Sequence, residues 1–342
     1  MKRTMLALAA LALLAGGCSR RGSRATYLQR SYIMNVSAQF RAYGSSTPGA
    51  KELADEIFAE WERVSGEFSS TDPYSLTSVV NKRAASEWVP VTDEFLRLLQ
   101  LGLDYSRLSG GAFDITFAPL YPIWREAGAR KKLPRKEDIE EAMKRVGYRC
   151  VEVDAAKKAV HFTGPVQINL GALVRPYCFE RAYKILGERA PSYPVQLRLG
   201  ANMLAYGDRT WRYRVPDPFN HGDILGMFAF DKGLVISSSG RDQFTEIEGT
   251  LYSHLLDLRT GYPIKDYAAL TVYYPGLDGD NFMSSAALAV MGREKAFRLL
   301  EGMKGTAALW VDDKGRSFFL LNRASGAKWR EPSSFWDRLP GV

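Results

Sequence analysis

One acidic residue, Asp114, lies between Phe113 and Ile115 in a short, mostly apolar segment. The pair Gly110-Gly111 precedes it, and residues without a side chain let the backbone approach a ligand closely. An acid held between large apolar neighbours either hydrogen-bonds a ligand or caps the backbone, because Asp is a frequent turn and N-cap residue. The residue types alone leave both roles open.

The composition is that of an ordinary soluble globular protein. Of the 342 residues, 46% are hydrophobic and 25% are charged, which is enough material for one large domain or two ordinary ones. The formal net charge is +8, and it becomes about +6 if Lys2 and Arg3 are removed with a leader segment. No long run of Lys and Arg is interleaved with aromatic residues, so the sequence predicts no nucleic-acid binding.

The first 18 residues have the pattern of a bacterial lipoprotein signal. A basic pair precedes an apolar run that is too short for a good transmembrane span, and three small residues stand directly before Cys18. They resemble a lipobox, although Ala occupies the place usual for Leu. We predict a signal peptide over residues 1–18, a lipid-modified Cys18, and a tether over residues 19–30, facing the periplasm or cell exterior. A plain secretory signal is the alternative. Cys150 and Cys178 could pair in that oxidising space, but sequence does not settle their distance.

The spacing of apolar residues predicts both helices and strands. Apolar residues recur every three or four positions over residues 51–68, and Thr92 is a good N-cap for a helix over residues 93–108. The mixture predicts one α+β domain over residues 31–342, with helices packed on an antiparallel or mixed sheet. Further helices are predicted around residues 131–145, from Gly171, and at 281–291 and 294–303. Strands are predicted at residues 32–42, 151–162, 166–170, 197–206, 211–215, 227–237 and 270–274, with a closing hairpin at 307–311 and 317–321.

Five motifs then follow one another along the chain. The first is a Ser-rich segment from Phe68 to Asn81, and the second is Gly111-Ala112-Phe113-Asp114, with Pro119-Leu120 and Trp124 after it. The third is Ser239-Gly240. The fourth is His254-Leu255-Leu256-Asp257, with Thr260-Gly261 and Pro263 after it, and the fifth is Met291-Gly292. In this order they resemble the FAD:protein FMN transferases, the ApbE family of flavin transferases. The resemblance covers residues 32–323 and implies a T-fold-like architecture.

The resemblance implies that the protein binds FAD and cleaves its pyrophosphate with a divalent metal, Mg²⁺. The FMN half would go to a Thr or Ser hydroxyl of an acceptor protein, while positive groups neutralise the phosphates. His254 and Asp257 would lie at the reacting centre, since imidazole suits proton transfer and the carboxylate could orient it or bind metal. A structural histidine and a strand-capping aspartate are the alternatives.

The resemblance also implies the residues that bind the nucleotide and the metal. The implied cofactor-binding residues are Met34, Ala112, Phe113, Asp114, Arg175 and Leu255. The predicted metal ligands are Ala172, Asp280 and Ser284, the last two as substitutes for the family's own ligand positions.

The sequence departs from the family pattern where phosphate and metal should bind. Residues 171–177 read Gly-Ala-Leu-Val-Arg-Pro-Tyr in place of Gly-Gly-x-Ala-Lys-Gly-Tyr. Arg175 therefore replaces a Lys that it does not match in geometry, and Pro176 removes a backbone donor. The family's metal-ligand positions fall on Phe282 and Ala286, and neither side chain binds a hard cation.

Asp280 and Ser284 offer a substitute pair of metal ligands. They are four residues apart and would share one face of a helix, although Asp280 could instead belong to the Gly-rich turn over residues 276–280. Three functions stay open: a membrane-anchored FMN transferase, a non-catalytic flavin-binding lipoprotein of the same fold, and an FAD diphosphatase that uses water. Because transfer is the family's majority activity, FMN transfer is the prediction.

Overall fold

The fold combines strands and helices in a computed structural model that describes residues 25–241, 244–277, 283–322 and 325–332. In those ranges no helix is long and apolar enough to cross a membrane. The helices are α1 (Ala50–Glu67), α2 (Leu76–Arg83), α3 (Asp93–Ser109), α4 (Tyr121–Arg130), α5 (Lys136–Met143), α6 (Gly171–Arg189), α7 (Ser285–Met291) and α8 (Arg293–Glu301). The strands are β1 (Tyr27–Ile33), β2 (Val36–Ala42), β3 (Val89–Pro90), β4 (Val151–Asp154), β5 (Ala159–Phe162), β6 (Val195–Leu199), β7 (Asn202–Tyr206), β8 (Trp211–Pro216), β9 (Ile224–Phe230), β10 (Gly233–Ser239), β11 (Phe244–Ile247), β12 (Thr250–Ser253), β13 (Leu256–Asp257), β14 (Tyr262–Pro263), β15 (Ala269–Tyr274), β16 (Ala307–Val311), β17 (Ser317–Leu321) and β18 (Lys328–Arg330).

Eight of these strands form one sheet in the order β1-β2-β6-β7-β10-β15-β16-β17. Every neighbouring pair in it is antiparallel. Two three-stranded sheets, β18-β9-β8 and β3-β5-β4, and the hairpins β11-β12 and β13-β14 complete the strand pairing. The predicted α+β class, with helices packed on antiparallel sheet, is confirmed, and so is the closing hairpin β16–β17.

Helices α1, α3 and α6 contribute their apolar faces to the main core, which also takes in one face of the large sheet. Trp61 of α1 is fully buried against Phe179 of α6, with ring centroids 5.5 Å apart, and Phe40 of β2 belongs to the same cluster. The Thr92 hydroxyl accepts a hydrogen bond from the Phe95 amide at 3.1 Å, so it caps α3. Helix α1 therefore forms where the apolar spacing predicts it, and α3 forms where the cap residue predicts it.

The opposite face of the large sheet packs against the sheet β18-β9-β8. Trp211, Tyr213, Phe228 and Phe230 are buried there. A third, smaller cluster forms around Trp124 of α4 and includes residues of α5 and of the segment after β13. Two of the predicted motifs, the one containing Trp124 and the one beginning at His254, therefore meet away from the main core.

The predicted strand over residues 32–42 is a hairpin, β1–β2. Its turn residues Met34 and Asn35 both have positive φ, 53° and 59°, which is the backbone of a tight turn that matches strand twist. Because β1 begins at Tyr27, the last residues of the predicted tether belong to the sheet.

The predicted helix around residues 131–145 is shorter in the structure, where only α5 lies within that range. Lys131 adopts the left-handed conformation, φ 51°, and ends α4, and Pro134 then lies in the connection to α5. A residue in this conformation is a common way for a helix to end, and the residue before a proline avoids helical geometry.

The predicted strand over residues 166–170 is an extended loop. Its central residue, Ile168, hydrogen-bonds through both backbone groups to the side-chain amide of Asn81, at 2.7 and 2.9 Å. The Asn169 amide donates to the Ile115 carbonyl at 2.7 Å. These bonds satisfy the backbone groups without pairing to a neighbouring strand. The alternation of side chains along the sequence does not distinguish this loop from a paired strand.

Cys150 and Cys178, whose pairing the sequence left open, are both free thiols. Cys150 is half-buried, and Cys178 is buried in α6. The Cys178 carbonyl instead accepts a hydrogen bond from the Trp61 indole at 2.7 Å, which joins α6 to α1.

Candidate functional site

Backbone hydrogen bonds join motif segments that are distant in the sequence. The Leu258 amide donates to the Ala112 carbonyl at 3.0 Å, which links the His254 motif to the Gly-Ala-Phe-Asp motif. The loop before α6 bonds to Ile115 on one side and to Asn81 of the Ser-rich segment on the other. The start of α6 is therefore fixed against both other segments.

The Ser239-Gly240 motif meets the His254 motif from a third direction. The Gly240 amide donates to the Ala268 carbonyl at 2.8 Å. A Cβ added at Gly240 would lie 2.9 Å from the Ser253 hydroxyl, so a larger residue there would require Ser253 to shift. Four of the five motifs thus converge on one region.

Asp114 is buried and accepts hydrogen bonds within the protein. Its Oδ1 accepts from the Thr116 amide at 2.8 Å and from the Thr116 hydroxyl at 2.6 Å, and its Oδ2 accepts from the Tyr148 amide at 2.8 Å. Burial raises the pKa of Asp114, while these hydrogen bonds and the charge of Arg149 act in the opposite direction. The structure gives Asp114 the backbone-capping role, and a contact with nucleotide stays a prediction.

The two glycines before Asp114 end α3. Gly110 and Gly111 have φ of 67° and 84°, and the Gly111 amide donates to the Ser106 carbonyl at 2.9 Å. The side chains of Ala112 and Phe113 then enter the main core, where both are buried. These two predicted cofactor-binding residues therefore place their side chains in the core, and a flavin contact remains a prediction.

His254 is exposed between β12 and β13, and Leu255 is half-buried against the main core. The Asp257 carboxylate binds the guanidinium of Arg259, with Oδ2–Nη2 at 2.6 Å and Oδ1–Nε at 2.9 Å. The Asp257 carbonyl accepts from the Thr260 amide at 3.0 Å, which closes the turn into β14. Arg259 was not predicted from the sequence, although the Asp-x-Arg spacing is a signal that could have identified it.

Trp124 holds this turn from the outside. Its indole donates to the Gly261 carbonyl at 2.9 Å, and its ring lies 5.8 Å from that of Tyr262. Gly261 has φ of 78°, and a Cβ there would lie 2.7 Å from Ile139 Cγ2. The family motif residues Trp124 and Gly261 are therefore one structural unit.

The predicted nucleotide residues Met34 and Arg175 lie together. Arg175 Nη2 donates to the Met34 carbonyl at 3.4 Å, which is longer than the usual 2.7–3.2 Å for such a bond. Burial lowers the pKa of Arg175, yet a guanidinium stays charged in proteins. No ion pair satisfies Arg175 in the part of the chain that the structure describes, so its charge is available to a phosphate.

The predicted metal ligands fall only partly within the structure. Asp280 and Phe282 lie outside the described residues. Ser284 is buried just before α7, and Ala286 presents a methyl group, which cannot bind a cation. Over the described ranges no group of three His, Cys, Asp or Glu side chains could hold a metal ion. The residues present there do not fit a Mg²⁺ site.

Pro176 lies inside α6 and changes the hydrogen bonding of the third predicted metal ligand, Ala172. Proline has no N–H, so the usual helical hydrogen bond to the Ala172 carbonyl four residues earlier cannot form. Pro176 and Ser284 line the same small pocket between α3 and α6. The structure therefore brings Ser284 to the first turns of α6.

Comparison with known proteins agrees with this arrangement. The model of the ApbE family matches residues 33–310. An FAD:protein FMN transferase of Treponema pallidum is 24% identical over 318 residues, covering 86% of this chain and 87% of the relative. One of Rhodobacter capsulatus is 25% identical over 326 residues, covering 92% of this chain and 61% of the relative. The crystal structure of the Thermotoga maritima ApbE protein superposes with a TM-score of 0.76 at 26% identity, covering 87% of this chain and 97% of that one. The chain belongs to the ApbE family.

Proposed function

We propose that this protein transfers FMN from FAD to a Thr or Ser hydroxyl of an acceptor protein. One observation supports it above the others: in a chain that matches the family over residues 33–310, four motif segments pack against one another. The curated relatives carry the name of this activity. A shared fold alone would not support a shared reaction, since function depends on the site.

In the proposed reaction, an acceptor hydroxyl oxygen forms a bond to the phosphorus of the FMN half. The bond from that phosphorus to the bridging oxygen breaks, and AMP leaves with that oxygen. The hydroxyl proton goes to a base, and His254 is our candidate because it is exposed to a macromolecular substrate. Arg175 would bind the pyrophosphate, where a fixed cation stabilises the charge that develops during transfer.

A divalent cation would neutralise the same phosphates in such a reaction. Among the described residues no group of three His, Cys, Asp or Glu side chains could hold it, so a Mg²⁺ site would need residues outside the described ranges, such as Asp280. We derive no step through the metal. A catalytically impaired flavin-binding protein is the alternative that the substitutions at Pro176 and Ala286 favour.

We further propose that the protein acts at the bacterial cell envelope, anchored through a lipid on Cys18 and facing the periplasm or exterior. The sequence of the leader supports this location. The first strand begins at Tyr27, so an extended tether would hold the domain within about 30 Å of the bilayer surface.

The decisive experiment incubates the purified chain with FAD, Mg²⁺ and a protein bearing an acceptor Thr, followed by flavin fluorescence on a denaturing gel. We expect labelled acceptor and released AMP. Replacing His254 with Gln should slow labelling by about 10²–10⁴-fold, the usual contribution of a general base. His221→Gln removes another exposed histidine and is the matched control, which should label at the wild-type rate.

Other outcomes exclude the transferase. Free FMN and AMP without labelling would indicate an FAD diphosphatase, and FAD bound unchanged would indicate a flavin-binding protein. Absence of FAD binding would contradict the flavin site altogether. Equal rates for His254→Gln and the wild type would remove His254 from the reaction.

A further inference from the structure

The large sheet carries two neighbouring arginines on the face opposite the main core. Strands β2 and β6 pair so that Gln39 lies opposite Arg198 and Arg41 lies opposite Gln196. Arg41 and Arg198 are therefore diagonal neighbours on one face, at a distance that long side chains can bridge. The intervening residue Phe40 points to the other face and is buried in the main core.

Strand β8 brings a tyrosine to the same place. The Arg198 guanidinium carbon lies 5.7 Å from the centre of the Tyr213 ring. Burial lowers the pKa of Arg198, and the charges of Arg41 and Arg214 lower it further. We call Arg41, Arg198 and Tyr213 the arginine cleft.

Arg41 and Arg198 have no counter-ion within the described ranges. Arg41 Nη2 donates to the Gln39 amide oxygen at 2.9 Å, whereas its Nε is buried with no hydrogen-bond partner there. Arg198 Nη2 reaches only the Met203 sulfur, at 3.8 Å, a weak acceptor. A guanidinium withdrawn from water is unfavourable unless an anion compensates it.

Two other partly buried arginines are paired with carboxylates. Arg181 binds Glu60 at 2.6 Å, and Arg97 binds Glu180 at 2.6 Å. Arg41 and Arg198 have each other as neighbours instead, and no carboxylate of the described residues compensates them. This contrast makes the pair a candidate site for an anion from solution.

We propose that the arginine cleft binds a phosphate group. Two guanidinium forks on adjacent strands offer donors in a planar geometry that suits phosphate oxygens, and a dianion can compensate more than one of them. The cleft lies across the sheet from the main core, into which α6 packs, so it is separate from the Arg175 site. The group could belong to a free phosphate compound or to a phospholipid head group.

The test measures binding of inorganic phosphate to the full chain carrying Cys18→Ser, with and without saturating FAD, by ³¹P NMR. We expect binding that FAD does not displace. Arg41→Gln and Arg198→Gln should each weaken it by about tenfold or more, because each removes a charge-assisted hydrogen bond. Arg212→Gln is the matched control, since Arg212 is an exposed arginine on β8, and its binding should stay unchanged.

A second arm uses vesicles of neutral phosphatidylcholine with or without phosphatidylglycerol. Sedimentation with the anionic vesicles alone, lost in Arg41→Gln and Arg198→Gln, would support a lipid head group as the source. Binding of neither probe, or an equal loss in Arg212→Gln, would overturn the proposal.

Lysine variants keep the test valid if a glutamine variant fails to fold. Arg41→Lys and Arg198→Lys retain the charge but lose the fork, so they should bind phosphate several-fold more weakly. Unchanged phosphate binding in both lysine variants would contradict the proposal. Phosphate should also raise the midpoint of thermal unfolding of the wild type, because it binds only the folded chain.

Discussion

At the scale of residues, Asp114 shows how an acid within a motif can organise the backbone around it. Its oxygens accept from Thr116 and from Tyr148, so they join the end of the Gly-Ala-Phe-Asp motif to a segment more than thirty residues later. The Thr116 hydroxyl extends this connection by accepting from the Gly147 amide at 2.8 Å. Residue types left ligand binding and backbone capping equally open; the partners across the fold show the capping role, and a contact with the nucleotide stays a prediction.

We therefore expect Asp114→Asn to destabilise the protein by about 1–3 kcal/mol, because an amide nitrogen cannot accept these bonds and buried donors lose their partner. Urea unfolding monitored by tryptophan fluorescence gives the change. Asp104→Asn, at an exposed position in α3, is the control and should cost less than about 0.5 kcal/mol. Unchanged stability together with much weaker FAD binding would instead restore the ligand role.

At the scale of elements, short turns hold the candidate site together. The turn between β13 and β14 depends on Gly261, and its carbonyl receives the Trp124 indole. Helix α5 packs directly behind it, through Ile139 and Met143. The contacts of this turn with α4 and α5 therefore fix the position of the residues around Asp257.

Gly261→Ala should destabilise this unit by about 1–3 kcal/mol more than Gly249→Ala does. Both glycines have positive φ, 78° and 75°, so both substitutions carry the same backbone strain. Only at Gly261 would the new Cβ approach Ile139 at 2.7 Å, whereas nothing lies within 4 Å at Gly249. Equal destabilisation in urea would show that the contact relaxes freely.

Helices α1, α3 and α6 are also joined by charges. Arg63 binds Glu60 and Glu94, each at 2.8 Å, and Arg181 binds Glu60 at 2.6 Å. The hydrogen bond from Arg63 lowers the pKa of Glu60 despite burial. For Glu94, burial would raise the pKa, but hydrogen bonds from Arg63 and Tyr177 outweigh it and lower the pKa.

The sign of the resulting pH dependence follows from these pKa directions. A carboxyl with a lowered folded-state pKa stabilises the protein above its unfolded value of about 4.3 and loses that contribution as pH falls through the folded value. Between about pH 6 and pH 3, Glu60→Gln should therefore lose less free energy of unfolding than the wild type. Glu62→Gln, exposed on the same helix, is the control, and its free energy of unfolding should depend on pH as that of the wild type does. The same pH dependence in Glu60→Gln would contradict a stabilising role for this network.

At the scale of the whole molecule, one domain separates two kinds of site by its central sheet. Several motif residues, among them Ala112, Phe113 and Leu255, pack in or against the main core, while Arg41 and Arg198 lie on the opposite face of the sheet. The turn between β1 and β2 contacts Arg175 through Met34, and β1 is an edge strand of the large sheet. An anchored domain would therefore be tethered through the edge of the sheet.

Anchoring itself gives a whole-molecule prediction. Cells expressing the chain and fed a labelled fatty acid should incorporate label into the wild type, because lipid attachment requires the Cys18 thiol. Cys18→Ser should abolish the label, and Cys150→Ser should retain it. Label that persists in Cys18→Ser would contradict the lipoprotein signal.

The sequence by itself predicted the fold class, the helices α1 and α3, and the closing hairpin. Each depends on signals read within a few residues, such as the apolar spacing in α1 or the Thr92 cap of α3. The motif order likewise identified the family that residues 33–310 match. These properties are local or follow from order along the chain, so no distant partner is needed to recognise them.

Only the tertiary structure decided what the site residues contact. The loop at Ile168 reads as a strand because its side chains alternate, yet Asn81, 87 residues earlier, satisfies its backbone. Asp114 became a cap through Tyr148, and Asp257 was found bound to Arg259. The arginine cleft depends on the register of two strands far apart in the sequence. Hydrogen-bond partners and charge clusters of this kind arise from long-range packing, which spacing along one chain does not encode.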